Sequence, residues 1–287
     1  EALAMAKPII EPICAETLEE FALFLDGNMG QQHTIEDWVQ GLKTSWSNVD
    51  RPNFGFMMRD DGRIVGGIGA IYARRIIRGQ VENFCNITSW CVLDAYRKYS
   101  MQLAMAVLAQ PGYHFTDFSP TKVVGGVLQF LKFKPLDDAV VVIANLPVPP
   151  WHGRLVTDSH AVERSLTGAA AEVWRDHAGF PWLKHVLVGG PGHWCHVIYK
   201  RDTFKGVPCA RIVYLSDASV FERCLGRLAA HFFRLGMMST HVERRFLARV
   251  PRFSKVRSGF NQKVYLSATL NDGDIDYLYS ESVALDL

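Results

Sequence analysis

The chain has almost no excess of charge of either sign, because 31 Lys and Arg stand against 29 Asp and Glu, which leaves +2 at pH 7. Such a balance gives no overall attraction to nucleic acid or to an anionic membrane, and we expect neither partner. No apolar run reaches the roughly 20 residues that a membrane-spanning helix needs. Basic residues do cluster in His241–Arg252 and in Ser254–Arg257. A solvated basic face is the simpler interpretation of this cluster, and an anion site is the alternative.

The six cysteines contain no Cys-x-x-Cys pair, and several lie in apolar runs, where free cysteine behaves as a small hydrophobic residue. We therefore expect reduced thiols in a cytoplasmic protein. His193 and His196 flank a cysteine, but their spacing matches no zinc pattern, and on a strand they point to opposite faces. The sequence thus predicts no metal site.

Two motifs of nucleophilic and nucleotide-binding enzymes are also missing. No Gly-x-Ser-x-Gly elbow or Ser/His/Asp triad is present. The glycine-rich stretch Val188–His193 lacks the Lys-Ser/Thr ending of a phosphate-binding loop, and we expect a hairpin turn there.

The length of 287 residues allows two domains. The clearest linker is Asn145–Trp151, where three prolines cannot continue a helix or a sheet. We place the domains at residues 5–146 and 152–287, with Glu1–Ala4 as a tag remnant before a native start at Met5. Both halves show the same coarse order of helical material, a hairpin, a strand, a helix and further strands, which indicates an internal duplication of the fold.

Local signals predict several elements of the first half. Glu16–Asp26 has the apolar period of an amphipathic helix, and Thr34 with Asp37 forms a capping-box signature for the next one. Asp61-Gly62 is a hairpin signal between the strands Phe54–Met58 and Ile64–Ala73.

In the second half we expect one helix at Phe221–Leu235 and short strands around it, including Phe246–Ala248. Tyr277–Leu285 is predicted to be a terminal strand on which Tyr277, Tyr279 and Glu281 share one face. These three side chains could line a substrate cleft between the halves. A half-buried strand with a polar outer face is the simpler alternative.

The most informative stretch runs from Phe84 to Leu136. It reads as a strand, a polar turn at Asp94–Lys98, a helix at Met101–Ala109, a second strand at Tyr113–Phe118 and a second helix. Such a unit places backbone N–H groups at a helix N-terminus, where a phosphate group can bind. The pattern therefore predicts a nucleotide-type cofactor.

The first half, over roughly Lys7–Ala144, resembles the acyl-CoA-binding domain of the GNAT superfamily of N-acetyltransferases. Where the family's fourth strand typically ends in Val-x-Pro-x-x-Arg, this chain has Val92-Leu-Asp-Ala-Tyr-Arg97. In the pyrophosphate loop, of the form Arg/Gln-x-x-Gly-x-Gly/Ala, Arg97 matches, while Ser100 and Gln102 replace the two glycines.

The resemblance implies an α+β fold with a mixed sheet, built as two GNAT-like halves of which the second is degenerate. It implies acetyl-CoA or another acyl-CoA as the cofactor. It also implies a set of cofactor-binding residues at the end of the fourth strand and in the turn behind it: Val92, Arg97, Lys98, Tyr99, Ser100, Met101 and Gln102.

The implied activity is acetyl transfer from acetyl-CoA to an amine of a small-molecule acceptor, which the sequence does not identify, by direct attack on the thioester. Leu128 stands where the family has its general-acid tyrosine, and Lys132 where it has a glycine. Glu82, which leads into the Phe84 strand, is the first candidate for the general base. His114 and Asp117 are further catalytic candidates: three residues apart on a strand, they face opposite sides.

Each of these candidates has a simpler alternative. Glu82 also suits a solvated strand edge, and His114 a core or capping position. Asp94, the second candidate for the general base, lies in a turn, where aspartate is common for local hydrogen bonding. A covalent acyl-cysteine at Cys85 or Cys91 is less favoured. A non-catalytic acyl-CoA-binding or regulatory protein is the alternative function, and a purely structural module is a third. Each of these functions is compatible with a monomer or a homodimer.

Overall fold

The computed structural model describes residues 7–30, 33–44, 46, 50–147, 149, 152–260 and 262–286. The expected start at Met5 and three residues of the expected linker, Val148, Pro150 and Trp151, lie outside these ranges. The chain divides into two compact units. The first unit consists of Glu1–Leu136, Asn261–Thr269 and Tyr279–Leu287, and the second of Asp137–Phe260 and Leu270–Leu278.

Helices and strands alternate along both units. Within the described ranges, the α-helices are α1 (Leu18–Asn28), α2 (Ile35–Lys43), α3 (Ser100–Leu108), α4 (Lys122–Phe130), α5 (Ser159–Ser165), α6 (Gly168–His177), α7 (Ala218–Arg223), α8 (Leu225–Arg234) and α9 (Glu281–Ala284). The strands are β1 (Ile9–Pro12), β2 (Gly55–Asp60), β3 (Arg63–Ile77), β4 (Gln80–Val92), β5 (His114–Asp117), β6 (Lys134–Pro135), β7 (Val140–Ala144), β8 (Arg154–Val156), β9 (Lys184–Gly190), β10 (His193–Phe204), β11 (Val207–Leu215), β12 (Ser239–Glu243), β13 (Ser254–Arg257) and β14 (Val264–Leu266). Short 3-10 helices lie at Asp94–Tyr99, Arg244–Phe246 and Asp272–Asp274.

Two local predictions are confirmed at atomic detail. Thr34 and Asp37 form the capping box of α2: the Thr34 Oγ1 accepts the Asp37 N–H at 3.2 Å, and the Thr34 N–H donates to the Asp37 carboxylate at 2.8 Å. Asp61 and Gly62 join β2 to β3 with φ angles of 46° and 75°, which is the left-handed backbone that a two-residue hairpin turn requires.

The first unit contains one sheet with the strand order β1-β2-β3-β4-β5-β14-β6. All neighbours in it are antiparallel except β4 and β5, which run parallel because α3 forms the crossover between them. The fully buried Leu103, Val107 and Leu128 of α3 and α4 pack in one cluster with residues of the central strands. This apolar cluster fixes the helices that follow β4 and β5 against the sheet.

The second unit also contains one sheet, with the order β13-β7-β12-β11-β10-β9-β8. Here β11 and β12 are the parallel pair, and α7 and α8 form the crossover. The expected hairpin at Val188–His193 joins β9 to β10. Both sheets therefore contain an antiparallel run of strands followed by one parallel, helix-connected pair.

The two units do not separate at the proline-rich linker. The strand β7, which the sequence places within residues 5–146, pairs with β12 and β13 in the second sheet. The C-terminal segment Tyr279–Leu287 belongs to the first unit. It packs on α2 at Gly41, where a Cβ atom would lie 2.1 Å from a Leu285 methyl carbon. The boundary between the two units is set by strand pairing and packing between distant segments of the chain. Local composition carries no signal for such long-range contacts.

Two expected strands are wrong. Phe246 ends the 3-10 turn Arg244–Phe246, and Leu247 and Ala248 follow it without forming a strand. Tyr277–Leu285 is a turn followed by α9, and Tyr279 has a φ of 60°, which a strand does not adopt. Every residue from Tyr277 to Leu285 is buried, so the segment has no polar outer face either. Alternating tyrosines imitate the period of a strand in this segment.

The expected helix at Phe221–Leu235 is interrupted at Cys224, between α7 and α8, and ends before Gly236. Gly236 has a φ of 76°, as a helix-ending glycine does. Across the described ranges, no helix combines the length and the apolar character that crossing a membrane requires.

The second unit contains a histidine pair, of which His196 is buried and His185 is half-buried. A ring nitrogen of His185 lies 3.1 Å from one of His196, and the two rings stack with centroids 5.3 Å apart. Burial lowers the pKa of His185 to about 4 and, with the neighbouring histidines, that of His196 to about 3. The folded unit therefore holds both rings neutral at and below neutral pH.

We expect this pair to make the fold sensitive to mild acid. Below the ordinary histidine pKa of about 6.5, the unfolded chain takes up protons that the folded chain refuses, so stability falls as pH drops from about 6.5 towards 4. The effect is at most about 1.4 kcal/mol per pH unit for each histidine. Urea unfolding at pH 7.5 and 5 measures it, and a His185→Gln/His196→Gln variant should lose less stability between these pH values. The exposed His160→Gln is the control, and equal losses in all three proteins would contradict the expectation.

Candidate functional site

The parallel strands of the first unit separate after a short contact. Phe84–Asn86 of β4 pairs with His114–Thr116 of β5, and β4 then continues to Val92 while β5 ends at Asp117. The β3–β4 register shifts at Gly67–Gly69, and Ser89 has a φ of 52°. An opening therefore forms at the carboxyl ends of the parallel strands, which is where ligands bind in open sheets of this kind.

A cavity of about 170 Å³ lies at this opening. Its polar lining comes from both strands and from the turn that leads into α4: Thr88, Ser89, Asp117, Ser119 and Thr121. Aromatic rings of His33, Trp38 and Trp90 also line it, and the first two pack edge to face at 4.8 Å. The cavity thus combines a carboxyl group and hydroxyl groups with apolar rings, as small-molecule sites commonly do.

Asp117 is the charged residue of β5 that reaches this cavity, although only 3% of its surface is exposed. Its Oδ1 accepts the Ser119 N–H at 3.1 Å. Burial, and then the nearby carboxyl group of Glu281, raise the pKa of Asp117 well above its ordinary value. A carboxyl group with a raised pKa beside a cavity is a candidate for proton transfer.

Glu281 begins α9 and is completely buried. Its Oε1 accepts the Phe118 N–H at 2.7 Å and the Ser119 hydroxyl at 3.2 Å, and its backbone N–H donates to the Asn86 side chain at 2.8 Å. Its second oxygen, Oε2, is buried without a hydrogen-bond partner. Burial raises the pKa of Glu281 as well. The sequence marked this residue as a possible cleft residue but placed it on a strand, and no local signal connects it to Asp117.

The other two catalytic candidates meet elsewhere. His114 Nε2 lies 2.8 Å from Glu82 Oε2, with the His114 ring against Phe84. Both side chains are largely covered. Glu82 and His114 lie near the amino ends of β4 and β5, and Ser89 at the cavity is roughly 20 Å further along the extended strand. The structure thus brings Glu82 and His114 together and holds Asp117 apart from them.

The expected cofactor-binding segment lies between β4 and α3. Val92 ends β4, a 3-10 turn covers Asp94–Tyr99, and α3 begins at Ser100 with no side-chain cap. The exposed Arg97 pairs with Asp94 at 2.7 Å. Lys98 lies over the Tyr99 ring at 5.0 Å, while Met101 and Gln102 occupy the first turn of α3. The Ser100 N–H donates to the Arg97 carbonyl of the 3-10 turn, so the features that suit a phosphate group are the positive end of the α3 dipole and the two cations beside it.

The corresponding helix of the second unit is different. At the start of α7, the Asp217 carboxylate accepts the Val220 N–H at 2.9 Å and the Ser219 hydroxyl at 2.7 Å. These bonds lower the pKa of Asp217. A side-chain carboxylate already occupies the place that a phosphate would take, so this helix end is unsuited to a second anion.

Two positions, one in α4 and one just after it, correspond to the tyrosine and the glycine of the GNAT family. Leu128, in the tyrosine position, is completely buried in the apolar cluster, so no proton donor lies there. Lys132, in the glycine position, has a φ of 74°. That left-handed backbone at a helix end is the one for which glycine is usually chosen, so the motif's backbone is kept although its residue is not.

No protein-family model and no curated protein matches the sequence. Solved structures do match. A GCN5-related N-acetyltransferase from Anabaena variabilis ATCC 29413 aligns with a TM-score of 0.61 and 12% identity over 90% of this chain and 72% of that one. One from Kribbella flavida gives 0.57 and 12%, over 90% and 70%. Eis1 from Mycobacterium abscessus gives 0.56 and 13%, over 90% and 73%.

At these identities the likeness establishes the fold. It extends over nine-tenths of the chain and so includes most of both units. The mixed sheets and their helix crossovers agree with it. The chain therefore has the α+β fold of the GCN5-related N-acetyltransferases, which confirms the fold that the resemblance of its first half predicts.

Proposed function

We propose that the chain is an acyl-CoA-dependent acyltransferase, which moves an acetyl group from acetyl-CoA to an amine of a small-molecule acceptor. One observation carries the proposal: the opening between β4 and β5 has a buried carboxyl group, Asp117, in its cavity and an uncapped helix N-terminus, that of α3, at the same end of the sheet. The first feature suits proton transfer and the second suits a phosphate-bearing donor.

The residues present fit an acyl-CoA. The Ser100 hydroxyl and the cations Arg97 and Lys98, at the positive end of the α3 dipole, would hold its phosphates. Val92 and the β4 residues before it lie beyond the pairing with β5. Such a strand edge can bond the amide groups of an extended ligand. The thioester carbonyl of an acyl-CoA would supply the electrophile for acyl transfer.

Asp117 is our choice for the general base, because it lines the cavity. The hydrogen-bonded Glu82 and His114 are the second choice, since they lie towards the amino ends of the strands. We assign the second unit as a degenerate copy without a donor site, which the occupied helix end at Asp217 supports. The six free thiols support the expected cytoplasmic location.

A non-catalytic acyl-CoA-binding protein is the alternative function. The buried Leu128 favours it, because the position that carries the acid in the GNAT motif offers no proton. Binding of acyl-CoA is common to both functions. Release of thiol in the presence of amines separates them, because only the enzyme cleaves the thioester.

Calorimetry with acetyl-CoA and longer acyl-CoAs tests the donor site. We expect binding that Arg97→Glu weakens at least about tenfold, because a charge-assisted hydrogen bond contributes about 1.5–3 kcal/mol. Arg78→Glu is the matched charge reversal: it lies in the turn before β4, at the far end of that strand, and should bind as the unmodified protein does. Absence of binding to every acyl-CoA by the unmodified protein would rule out both the enzyme and the non-catalytic binding protein.

A further inference from the structure

Two buried carboxyl groups from distant parts of the chain adjoin the cavity. Asp117 is 3% exposed and Glu281 is fully buried, and Ser119 bonds both, through its N–H to Asp117 and its hydroxyl to Glu281. The two groups are close enough for the charge of Glu281 to act on Asp117. Among the described residues, neither carboxyl forms an ion pair with a lysine, arginine or histidine.

The groups that hydrogen-bond Glu281 are neutral. The Glu281 carboxylate accepts the Phe118 N–H, and the Glu281 backbone N–H donates to the Asn86 side-chain oxygen. The Asn86 amide group donates in turn to the Thr116 hydroxyl. The charged groups nearby include His33, which lines the same cavity as Asp117, and the buried Lys263, which precedes the β14 partner of Asp117. Arg75 lies over the Tyr279 ring at 5.5 Å.

Two adjacent carboxylates in a poorly solvated site cannot both remain ionised without a counter-charge. The pair therefore holds one shared proton when the cavity contains no cation. A ligand that carries a positive charge into the cavity would provide the missing counter-charge. An ammonium group does so and also carries a proton that a carboxylate can accept.

We propose that Asp117 and Glu281 act as one proton-accepting pair, which binds the acceptor as an ammonium ion and takes one proton from it. The proposal rests on the proposed acyltransferase function and specifies its acceptor and its base. Asp117, which lines the cavity, is the catalytic residue. Glu281 acts through Asp117 and is a positioning residue that sets the proton affinity of the pair.

The proton balance of the reaction is complete with these groups. Asp117 takes one proton from the ammonium group, which leaves a neutral amine with a free electron pair. The amine nitrogen attacks the thioester carbon, so that a C–N bond forms and the C–S bond breaks. The second proton leaves the nitrogen and goes to the departing sulfur. After the amide and the thiol leave, the pair releases its proton to solvent.

The first test is a titration of the unmodified full chain by NMR with ¹³C-labelled carboxyl groups. We expect the pair to titrate in two steps, the upper one above about pH 6, roughly two units over ordinary aspartate and glutamate values. Glu281→Gln should remove the upper step and leave one step for Asp117 at lower pH. Two independent steps near pH 4 in the unmodified protein would overturn the proposal, even if the variant did not fold.

The second test is the pH profile of kcat/KM for thiol release from acetyl-CoA with primary amines as acceptors. We expect two inflections in the unmodified protein, one for each ionisation of the pair, and only the lower one in Glu281→Gln. The control is Glu222→Gln, a buried glutamate of the second unit that accepts the backbone N–H groups of Ala248 and Arg249. An upper inflection that persists in Glu281→Gln would overturn the role of Glu281.

These experiments separate the pair from the proposed function. Acyl-CoA binding by calorimetry does not depend on the shared proton, and the NMR titration needs neither donor nor acceptor. A shared proton without acyl-CoA binding would overturn the acyltransferase and the pair's role in it. Acyl-CoA binding and turnover without a shared proton would overturn the pair alone.

Discussion

Asp117→Asn is expected to reduce the rate of acyl transfer by about 10²–10⁴-fold, the usual contribution of a general base. Asparagine has nearly the same shape and can still accept the Ser119 N–H that Asp117 Oδ1 accepts now at 3.1 Å. It cannot take a proton from an ammonium group at neutral pH. Thiol release from acetyl-CoA with a panel of primary amines measures the rate.

The same assay distinguishes the two possible bases. Glu82→Gln removes the carboxylate that lies 2.8 Å from His114, away from the cavity. We expect it to cost much less than Asp117→Asn. Both variants should bind acyl-CoA with the same affinity as the unmodified protein in calorimetry, which would show that their donor site is intact. A large loss in Glu82→Gln with full activity in Asp117→Asn would assign the base to Glu82 and His114 instead.

Arg245→Met is expected to destabilise the second unit by about 3–5 kcal/mol, the usual cost of breaking a buried ion pair by removing one partner. Arg245 pairs with Glu243 at 2.5 Å, and the two side chains are only 4% and 6% exposed. Arg245 also donates to the backbone carbonyls of Asp272 and Ile275, and Tyr277 donates to Glu243. Methionine would remove the Arg245 cation from the buried Glu243 carboxylate. Urea unfolding followed by circular dichroism measures the loss.

Arg249→Met is the matched control, because Arg249 pairs with Glu222 at 3.1 Å while its own side chain is 79% exposed. A pair whose cation is exposed contributes about 0–1 kcal/mol, and the covered Glu222 carboxylate would keep the N–H groups of Ala248 and Arg249. A Glu243→Leu/Arg245→Met variant should recover part of the loss, since it leaves no unpaired charge buried. If Arg245→Met and Arg249→Met destabilised the protein equally, burial would not be the reason why the Arg245–Glu243 pair matters.

Much of the first unit is determined by sequence signals that act over a few residues. The capping box of Thr34 and Asp37 and the hairpin at Asp61-Gly62 form as predicted, because both depend only on side-chain chemistry and backbone preference within one turn. The strand–helix–strand–helix order of Phe84–Leu136 also follows from the local apolar period. That order of elements carries the resemblance to the GNAT superfamily, and the resemblance predicts the α+β fold.

The tertiary structure alone decided which of these elements form the candidate site. Phe118 and Glu281 are 163 positions apart, and their hydrogen bond depends on where the C-terminal segment packs. The alternating tyrosines of that segment predicted a strand, but its burial on all sides favours a turn and the short helix α9. The sheet to which β7 belongs was likewise set by its partners β12 and β13. A local period records which face of an element is apolar, but it contains no information on which distant segment covers that face.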